Sequence, residues 1–323
     1  MMGKSEGNVT QDFVVGMPQL ALGGLSENWL LKECGHQHWL ALAKSLGLPN
    51  PDFVSQQGHK MYAAFLVVKI TQGAFEKVYE NSTLTINTQL QRVSSSRSYS
   101  HHEIQVEGEC CGHVELLSSF VNRTEQGNNQ SVARGEVFSG EWSACEASTL
   151  MMKAHKAGRM AHAEDAANSH DSLATIKTHG KNNAKEPLYT YQPCPYSDFN
   201  GADFLYFAQF QSVMDRAERH FQMKSTEQKD SRLWRTLERT ICYYGNINLD
   251  DALLVSLQTL DKDAIAKKIT DKATDEIRHH GCLYRLSDHK PIANIATRKA
   301  YMEHPLSTFQ ANHGDSTKQG ENP

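Results

Sequence analysis

Residues 23–31 read Gly-Gly-Leu-Ser-Glu-Asn-Trp-Leu-Leu, and residues 200–208 read Asn-Gly-Ala-Asp-Phe-Leu-Tyr-Phe-Ala. Each stretch places glycine just before an amphipathic segment with helical spacing. About forty residues beyond the glycine, each is followed by an apolar run rich in β-forming residues, at 62–70 and at 237–244. A helix followed by strands, repeated once along the chain, indicates duplication of one α+β unit. We expect a ligand site in the cleft between the two units.

The length and composition are those of a two-domain globular protein. The 323 residues suit roughly two domains of ~150 residues each. Hydrophobic residues make up 39% of the chain, the mean hydropathy is -0.55, and no apolar run is long enough to span a bilayer. The first seven residues lack the apolar core of a secretion signal, so we expect a cytoplasmic protein with no membrane partner. A net charge of -4, with no run of lysine or arginine, disfavours nucleic acid as a partner.

Seven cysteines are spread along the sequence, at positions 34, 110, 111, 145, 194, 242 and 282. Their number is odd and none is spaced as Cys-x-x-Cys, so we expect reduced thiols. Cys34 and Cys242 fall inside predicted helical and strand segments and are interpreted as buried packing residues. Cys110 and Cys111 lie close to His113, but no second ligand pair completes a zinc motif, and we expect no metal.

The first unit is predicted to contain one long helix and four strands. Ser26 is a good N-cap, and the pattern from it to about Leu46 is helical until the Gly-Leu-Pro-Asn-Pro stretch at 47–51 ends it. Residues 17–23 before the helix are predicted to be extended. Strands are predicted at 62–70, 83–92, 99–106 and 114–121. Sequential strands joined by hairpins favour an antiparallel sheet.

The second unit is predicted to repeat this order. A helix is expected over 204–221. Strands are expected at 234–244, 252–259, 280–286 and 291–302. The predicted organisation is a first unit at 13–149, a partly helical linker at 150–187, a second unit at 188–305 and a disordered tail at 306–323.

A long helix wrapped by an antiparallel β-sheet, twice in tandem, resembles the double-hotdog architecture, an α+β fold. Proteins of this fold mostly handle acyl thioesters of coenzyme A or of acyl-carrier protein. The fold by itself does not specify the reaction.

Three segments narrow the resemblance. They are Gly-Met-Pro-Gln-Leu-Ala-Leu-Gly-Gly-Leu-Ser-Glu-Asn-Trp-Leu-Leu at 16–31, Gly-His-Lys-Met-Tyr-Ala-Ala-Phe at 58–65, and Asp-Phe-Asn-Gly-Ala-Asp-Phe-Leu-Tyr-Phe-Ala at 198–208. Together they resemble the bifunctional acyltransferase/decarboxylase family of polyketide biosynthesis, of the leinamycin-pathway type. The resemblance extends over about residues 13–303, and the first segment is its most distinctive part.

The resemblance implies a reaction. In that family methylmalonyl-CoA is decarboxylated, and a propionyl group is delivered to the phosphopantetheine thiol of an acyl-carrier protein. It implies Tyr62 as the catalytic residue, no cofactor beyond the CoA and phosphopantetheine that the substrates carry, and an acyl-CoA and an acyl-carrier protein as partners.

Decarboxylation of a malonyl-type thioester leaves an enolate, whose oxygen needs hydrogen-bond donors. Glycine-rich starts of helices offer unpaired N–H groups. The candidate oxyanion and substrate-binding residues are therefore Gly24, Leu25 and Ser26 in the first unit and Asn200 and Gly201 in the second. The alternative is that both glycines only admit tight turns. Neutral candidates to surround the departing carboxylate are Thr83, Thr85, Asn87 and Asn200.

Tyr62 could act in two ways. As a nucleophile it would carry the acyl group as an aryl ester, although a phenol with a pKa of ~10 needs activation. As an acid or hydrogen-bond donor it could protonate or hold the enolate. His59 is a candidate to assist. The structural alternative for Tyr62 is an ordinary strand aromatic at the edge of the core.

Carboxylates near the two helix starts are the candidate acid/base residues. Asp198 and Asp203 flank the second start, and Glu27 lies one residue inside the first helix. Each could be a general base, or could simply complement a helix N-terminus. Asp198 or Asp203 would serve a hotdog thioesterase or dehydratase-like enzyme, which is the alternative function. A non-catalytic acyl-thioester binding module is the third reading.

Carrier proteins are acidic as a class, so we expect docking to use basic side chains at the mouth of the cleft. The candidates in the sequence are Arg232, Arg235, Arg239 and Lys299. A homodimer is compatible with the fold, although the duplicated chain can also satisfy the pairing of hotdog units within itself.

Overall fold

The computed structural model describes residues 7–55, 57–137, 141–168, 188–225, 233–259 and 276–302. Within these ranges the helices are α1 (Glu27–Ser45), α2 (Glu146–Asn168) and α3 (Gln209–Ser225). The strands are β1 (Val9–Val14), β2 (Leu20–Ala21), β3 (Gly24–Leu25), β4 (Tyr62–Thr71), β5 (Thr83–Ser94), β6 (Arg97–Val106), β7 (Glu109–Arg123), β8 (Val132–Arg134), β9 (Leu188–Tyr191), β10 (Leu233–Tyr243), β11 (Leu253–Thr259), β12 (Glu276–Arg285) and β13 (Pro291–Met302). Short 3-10 turns lie at Met17–Gln19 and Phe75–Lys77. None of the described helices is long and apolar enough to cross a membrane.

The duplication is visible in the order of the strands. The first unit contributes β1-β5-β6-β7-β4 to the main sheet, and the second contributes β9-β11-β12-β13-β10, which is the same order. The units join where β4 pairs antiparallel with β10 around Lys69 and Thr240. Each joining strand also carries a bulge at a matching place, at Leu66 in β4 and at Leu237 in β10. The sheet is therefore two like halves arranged about the junction of β4 and β10.

Helix α1 forms where the sequence predicts it. The Ser26 hydroxyl accepts a hydrogen bond from the Trp29 N–H at 3.3 Å, which caps the first turn. Leu30, Leu31 and Cys34 are buried with no exposed surface. Gly47 ends the segment in the left-handed region, with φ of 68°. The helix thus buries one face on the first half of the sheet.

Helix α3 begins later than predicted, at Gln209 rather than at 204. Residues 199–205 fold back on themselves instead, with Phe199 bridged to Leu205. Asn200 holds this turn, because its Oδ1 accepts from the N–H groups of Ala202 and Phe204 at 2.9 and 3.1 Å. The prediction that Asn200 and Gly201 stand directly at a helix start is therefore wrong, since a compact turn separates them from α3.

Helix α2 begins at Glu146, just before the predicted linker at 150–187, and it packs on the sheet. Met151 belongs to an apolar cluster with Val67, Tyr99 and Leu117. Val68, the neighbour of Val67, belongs to the core beneath α1 and α3. Because successive residues of a strand point to opposite faces, α2 covers the face opposite α1 and α3. Residues 169–187 and the tail at 306–323 lie outside the described residues.

The two units share one core. Phe65 of β4 packs on Phe207 of the second unit, with ring centroids 4.4 Å apart. The side chain of Asn28 in α1 donates to the Ala208 carbonyl at 3.1 Å and to the Ser212 hydroxyl at 3.0 Å. Side chains of both units therefore meet at the ends of the helices, and two cavities open there.

Candidate active site

The larger cavity, of about 1020 Å³, lies where the first residues of β4 meet the turn at 199–207 of the second unit. We call it the tyrosine cleft. Tyr62 lines it, with its ring 5.7 Å from the ring of Phe204 in an edge-on contact. Asn200 and Gly201 line the same cavity. The structure therefore brings together the predicted catalytic tyrosine and one of the two predicted substrate-binding segments.

Tyr62 is half-buried at the first position of β4. Its hydroxyl makes no hydrogen bond to any residue that the structure describes, although most buried tyrosine hydroxyls have a partner. By contrast, Tyr243 deeper in the same cleft donates to the Phe207 carbonyl at 3.0 Å. The Tyr62 hydroxyl is thus available to a bound molecule.

Asn246 lines the cleft, although its sequence context does not predict a site there. Its Oδ1 accepts from the backbone N–H groups of Leu205 at 3.2 Å and Ile247 at 2.8 Å, which fixes the orientation of the amide. Its Nδ2 has no partner within the described chain, so two donors remain for a ligand. The only sequence signal is the Gly-Asn-Ile-Asn loop that follows β10.

Arg123 holds the wall of the cleft together. It donates to the Asn129 side chain and to the Ala202 carbonyl, both at 2.6 Å. Its guanidinium carbon lies 4.6 Å from the centre of the Phe204 ring. Asn129 in turn donates to the carbonyls of Asp203 and Ile247. These contacts fix the turn at 199–207 against the first unit.

The chemistry of the tyrosine cleft is limited by what lines it. Among the described residues, its wall contains tyrosine, asparagine, glutamine, serine, lysine and arginine, but no aspartate, glutamate, histidine or cysteine. The remaining lining is apolar and aromatic, including Trp39, Phe65, Phe204, Phe207 and Phe210. The cleft can therefore hold an acyl chain and donate hydrogen bonds, but it presents no ordinary general base.

A second cavity, of about 670 Å³, occupies the related position in the other half. We call it the ionic cleft. Its wall combines the start of α1, the start of β10 and one face of α3, with Leu25, Ser26, Glu27, Trp234, Arg235, Thr236, Gln211, Asp215 and Lys299 among the lining residues. The two predicted oxyanion segments therefore lie in different clefts. Leu25 and Ser26 face the ionic cleft, whereas Asn200 and Gly201 face Tyr62.

A buried ionic network forms the floor of the ionic cleft. Arg239, with 1% of its surface exposed, lies 2.5 Å from Glu27 and 2.7 Å from Asp215. Lys299 lies 2.7 Å from Asp215 and also pairs with Glu218. Thr236 donates to Glu27 at 3.0 Å.

The two carboxyl groups nearest the cavity differ in their acidity. Burial raises the pKa of Glu27, since the loss of water outweighs the attraction of Arg239. Burial also opposes ionisation of Asp215, but Arg239 and Lys299 together outweigh it and lower the pKa of Asp215. Of these two carboxyl groups, Glu27 is therefore the one that more readily takes up a proton.

The other candidate acid/base residues lie outside both clefts. Asp198 is buried and accepts from the Tyr191 hydroxyl, the Cys194 N–H and the Ser197 hydroxyl at 2.8 to 2.9 Å. It ties the turn before α3 together, and neither cavity is lined by it. His59 is exposed in the loop before β4, and Asp203 is exposed with φ of 63°.

Two further sets of predicted residues are placed elsewhere. Thr83, Thr85 and Asn87 lie on β5 beside the edge strand β1, where Thr85 donates to Asp12 and Thr10 donates to Asn87. Neither cleft is lined by them. Cys110 and His113 approach to 3.6 Å, but no third metal-binding side chain among the described residues joins them.

The predicted docking residues are corrected by their burial. Arg239 and Lys299 are 1% and 7% exposed and are held in the ionic network, so they cannot meet a carrier protein. Arg235 is half-buried and paired with Glu76 at 3.0 Å. Arg232 lies outside the described residues. The sequence around Arg239 and Lys299 could not reveal their burial, because the carboxylates that pair with them are on α1 and α3.

The alternative that the two glycines only admit tight turns can be tested at Gly24 and Gly201. Gly24 has φ of 102°, and a Cβ there would overlap the Phe75 carbonyl. Around Gly201 no atom lies within 4 Å of such a Cβ. We expect Gly24→Ala to cost about 1–3 kcal/mol of unfolding free energy and Gly201→Ala to cost under about 0.5 kcal/mol, measured by urea denaturation. Equal losses at the two positions would contradict this reading.

The fold is shared with thioesterases of known structure. No family model and no curated protein sequence matches the chain. The chain superposes on a protein described as an oleoyl thioesterase from Lactobacillus plantarum with a TM-score of 0.61 and 8% identity, over 94% of this chain and 100% of that one. A 12:0-ACP thioesterase from Umbellularia californica gives 0.56 at 7% identity, over 91% and 94%. An acyl-ACP thioesterase from Bacteroides thetaiotaomicron gives 0.52 at 10% identity, over 90% and 97%. These similarities concern the fold, and they confirm the α+β double-hotdog prediction.

Proposed function

We propose that this protein is an acyltransferase/decarboxylase that acts on a methylmalonyl-CoA-type thioester in the tyrosine cleft and leaves propionyl on a carrier-protein thiol. The observation that carries the proposal is the lining of the cleft, which offers an unbonded phenol and amide donors but no carboxylate, imidazole or thiol among the described residues. Hydrolysis by general-base catalysis needs such a group. Decarboxylation does not, because the electron pair of the enolate comes from the breaking carbon–carbon bond.

The proposed steps balance with the groups available. The Tyr62 oxygen attacks the thioester carbon, the carbon–sulfur bond breaks, and the phenolic proton passes to the CoA sulfur. The bond to the carboxylate then breaks, CO₂ leaves, and its electron pair forms an enolate that takes a proton from solvent at carbon. The carrier thiol attacks the resulting propionyl ester, and its proton returns to the Tyr62 oxygen. If Tyr62 acts only as a hydrogen-bond donor, the same products form without an ester on the protein.

Asn246 is the group best suited to hold the thioester oxygen. Its oxygen is engaged by two backbone N–H groups, so its Nδ2 donors are held in place before any substrate binds. Donors that need no rearrangement are the ones that lower the energy of a developing oxyanion. The N–H of Gly201, in the open turn that lines the same cleft, is the second candidate donor.

We expect Asn246→Asp to lower the turnover number by about 10²–10³-fold. Aspartate keeps an oxygen for the Leu205 and Ile247 N–H groups but removes the Nδ2 donors, so the loop should stay folded. Asn248→Asp is the matched control, because Asn248 lies in the same loop, accepts from the Asn129 N–H at 2.8 Å and does not line the cleft. Equal turnover of the Asn246 variant and the wild type would remove Asn246 from the mechanism.

The function is tested by intact-protein mass spectrometry. Purified protein is mixed with methylmalonyl-CoA and a phosphopantetheinylated carrier protein, and the masses of the carrier and of the enzyme are followed. Propionyl on the carrier supports the proposal, and a transient acyl adduct on the enzyme supports the ester route. An unmodified carrier with free CoA and free acid would instead indicate hydrolysis. If the thioester is not consumed at all, the result favours a non-catalytic acyl-thioester binding module.

Thioester hydrolysis is the second candidate function, and the residue that supports it lies in the ionic cleft. Glu27 is a buried carboxyl group with a raised pKa that lines the ionic cleft, and the superposed structures named above are thioesterases. Thioester cleavage in the ionic cleft should be abolished by Glu27→Gln and should survive Tyr62→Phe. The acyltransferase proposal expects the reverse for carrier acylation.

A further inference from the structure

Tyr62 shares one face of the sheet with two arginines and a serine. In the register of the strands, Tyr62 of β4 lies opposite Val121 of β7, which lies opposite Arg134 of β8. One step along, Ala64 lies opposite Ser119, which lies opposite Arg97 of β6. Directly opposed residues of antiparallel strands point to the same face. Tyr62, Arg134, Ser119 and Arg97 therefore all project on the face that α2 covers.

Arg159 of α2 adds a third guanidinium to this face. The buried imidazole of His155, one helical turn earlier, bonds to the Tyr243 carbonyl at 2.8 Å. Burial lowers the pKa of His155, and Arg159, Arg97 and Arg134 lower it further. Arg97 and Arg134 share this face by strand register, and Arg159 belongs to the helix that covers it. We call them the arginine cluster.

The arginine cluster has no counter-charge in the described chain. None of its members forms an ion pair or a hydrogen bond with a described residue, and the Nε of Arg97 is buried without an acceptor. Glu115 on the same face is engaged by Tyr99 at 2.6 Å and by Lys69 at 3.1 Å. The half-buried guanidinium of Arg97 therefore lacks both a counter-charge and an acceptor for its Nε, which points to an anion that arrives with a ligand.

Two features place that anion at the tyrosine cleft. Arg134 and Ser119 both line this cavity. Ser119 is 1% exposed, and its hydroxyl has no hydrogen-bond partner. The other cations of the lining are already paired within the protein, Lys60 with Asp52 and both Arg285 and Lys290 with Asp288. An incoming anion would therefore meet the arginine cluster.

We propose that Arg97, Arg134 and Arg159 bind the phosphate of the pantetheine arm, on CoA or on the carrier protein, at the mouth of the tyrosine cleft. The proposal rests on the proposed function for the identity of the thioester. Arginine forms paired hydrogen bonds with phosphate oxygens. Arg134 lines the cleft and is exposed, so its charge lies at the solvent side. The substrate carboxylate is the weaker match, because cations that stabilise it would oppose its loss as CO₂.

The test compares pantetheine, which has no phosphate, with phosphopantetheine and CoA, which carry it. Binding of CoA, phosphopantetheine and pantetheine is measured by calorimetry with the wild-type protein and with Arg134→Ala, Arg97→Met and Arg298→Ala. Arg298 is the matched control, since it is an arginine of β13 paired with Glu238 and Glu276 and does not line the cleft. We expect pantetheine to bind about 10- to 100-fold more weakly than phosphopantetheine to the wild type. Either cluster variant should erase that difference, and the control should keep it.

The two phosphate sources are separated by a second arm. Transfer is followed at varied methylmalonyl-CoA and at varied carrier, and the KM that Arg134→Ala raises identifies which phosphate the cluster holds. Equal affinity of the wild type for pantetheine and phosphopantetheine overturns the proposal, as does failure to bind either. Phosphate recognition without carrier acylation would support the phosphate site and reject the proposed function. Carrier acylation at the wild-type rate by both arginine variants would support the proposed function and reject the phosphate site.

Discussion

Tyr62→Phe is expected to lower carrier acylation by about 10²–10⁴-fold while the protein stays folded. The substitution removes one oxygen and leaves the ring, so its edge-on contact with Phe204 is kept. The hydroxyl has no partner in the described chain, so nothing in the fold depends on it. Initial rates of carrier acylation, measured by mass spectrometry, give the result, and thermal unfolding checks the fold.

Tyr196→Phe is the control for that experiment. Tyr196 is 98% exposed and lies outside both clefts, so its loss should change neither rate nor stability. Affinity for CoA should also be unchanged in the Tyr62 variant, which separates a chemical role from a binding role. Carrier acylation at the wild-type rate by Tyr62→Phe would refute any role for the hydroxyl in the reaction.

Arg239→Met is expected to destabilise the protein by about 3–5 kcal/mol, the largest stability effect that we foresee for one side chain. The guanidinium is fully buried and faces Glu27 and Asp215. Methionine fills a similar volume but leaves Glu27, whose side chain is 10% exposed, and Asp215 with one cation fewer. The free energy of unfolding in urea provides the measurement.

Arg298→Met is the surface counterpart. Arg298 also pairs with two carboxylates, Glu238 and Glu276, but these side chains are 31–50% exposed. Water compensates for a lost exposed pair, so the expected loss is under about 1 kcal/mol. Equal losses of unfolding free energy in the two variants would show that the buried ionic network stabilises the fold no more than an exposed ion pair does.

Much of the fold follows from local sequence patterns. Alternation of apolar residues predicts β13 at 291–302, and the structure has Pro291–Met302. The N-cap at Ser26 is likewise read from residue type, because the cap bond is local. The start of α3 is not local in this sense. It depends on the Asn200 turn and on Asn246, which lies forty-odd residues away and accepts from the Leu205 N–H.

The site was only partly predictable for the same reason. The resemblance pointed to Tyr62, and the structure adds Asn200 and Gly201 to the same cleft. It could not point to Asn246, which is positioned by contacts between two loops, or to Arg97 and Arg134, which share a face only through strand register. For Asp198 the sequence pattern predicts a role that the structure does not support. Its position before a helix suggests a general base, but its carboxylate accepts three hydrogen bonds that hold the turn before α3.

The two clefts of this chain are unlike one another, and the joined sheet explains how that can be. A dimer of identical hotdog subunits must build both of its clefts from the same residues, so any change in one appears in the other. Here β4 and β10 pair within a single chain whose halves have different sequences. One cleft has an unbonded phenol and no carboxylate among its described lining residues, and the other has a buried network of acids and bases. Because the two halves are parts of one chain with different sequences, the residues of one cleft can change without any change in the residues of the other.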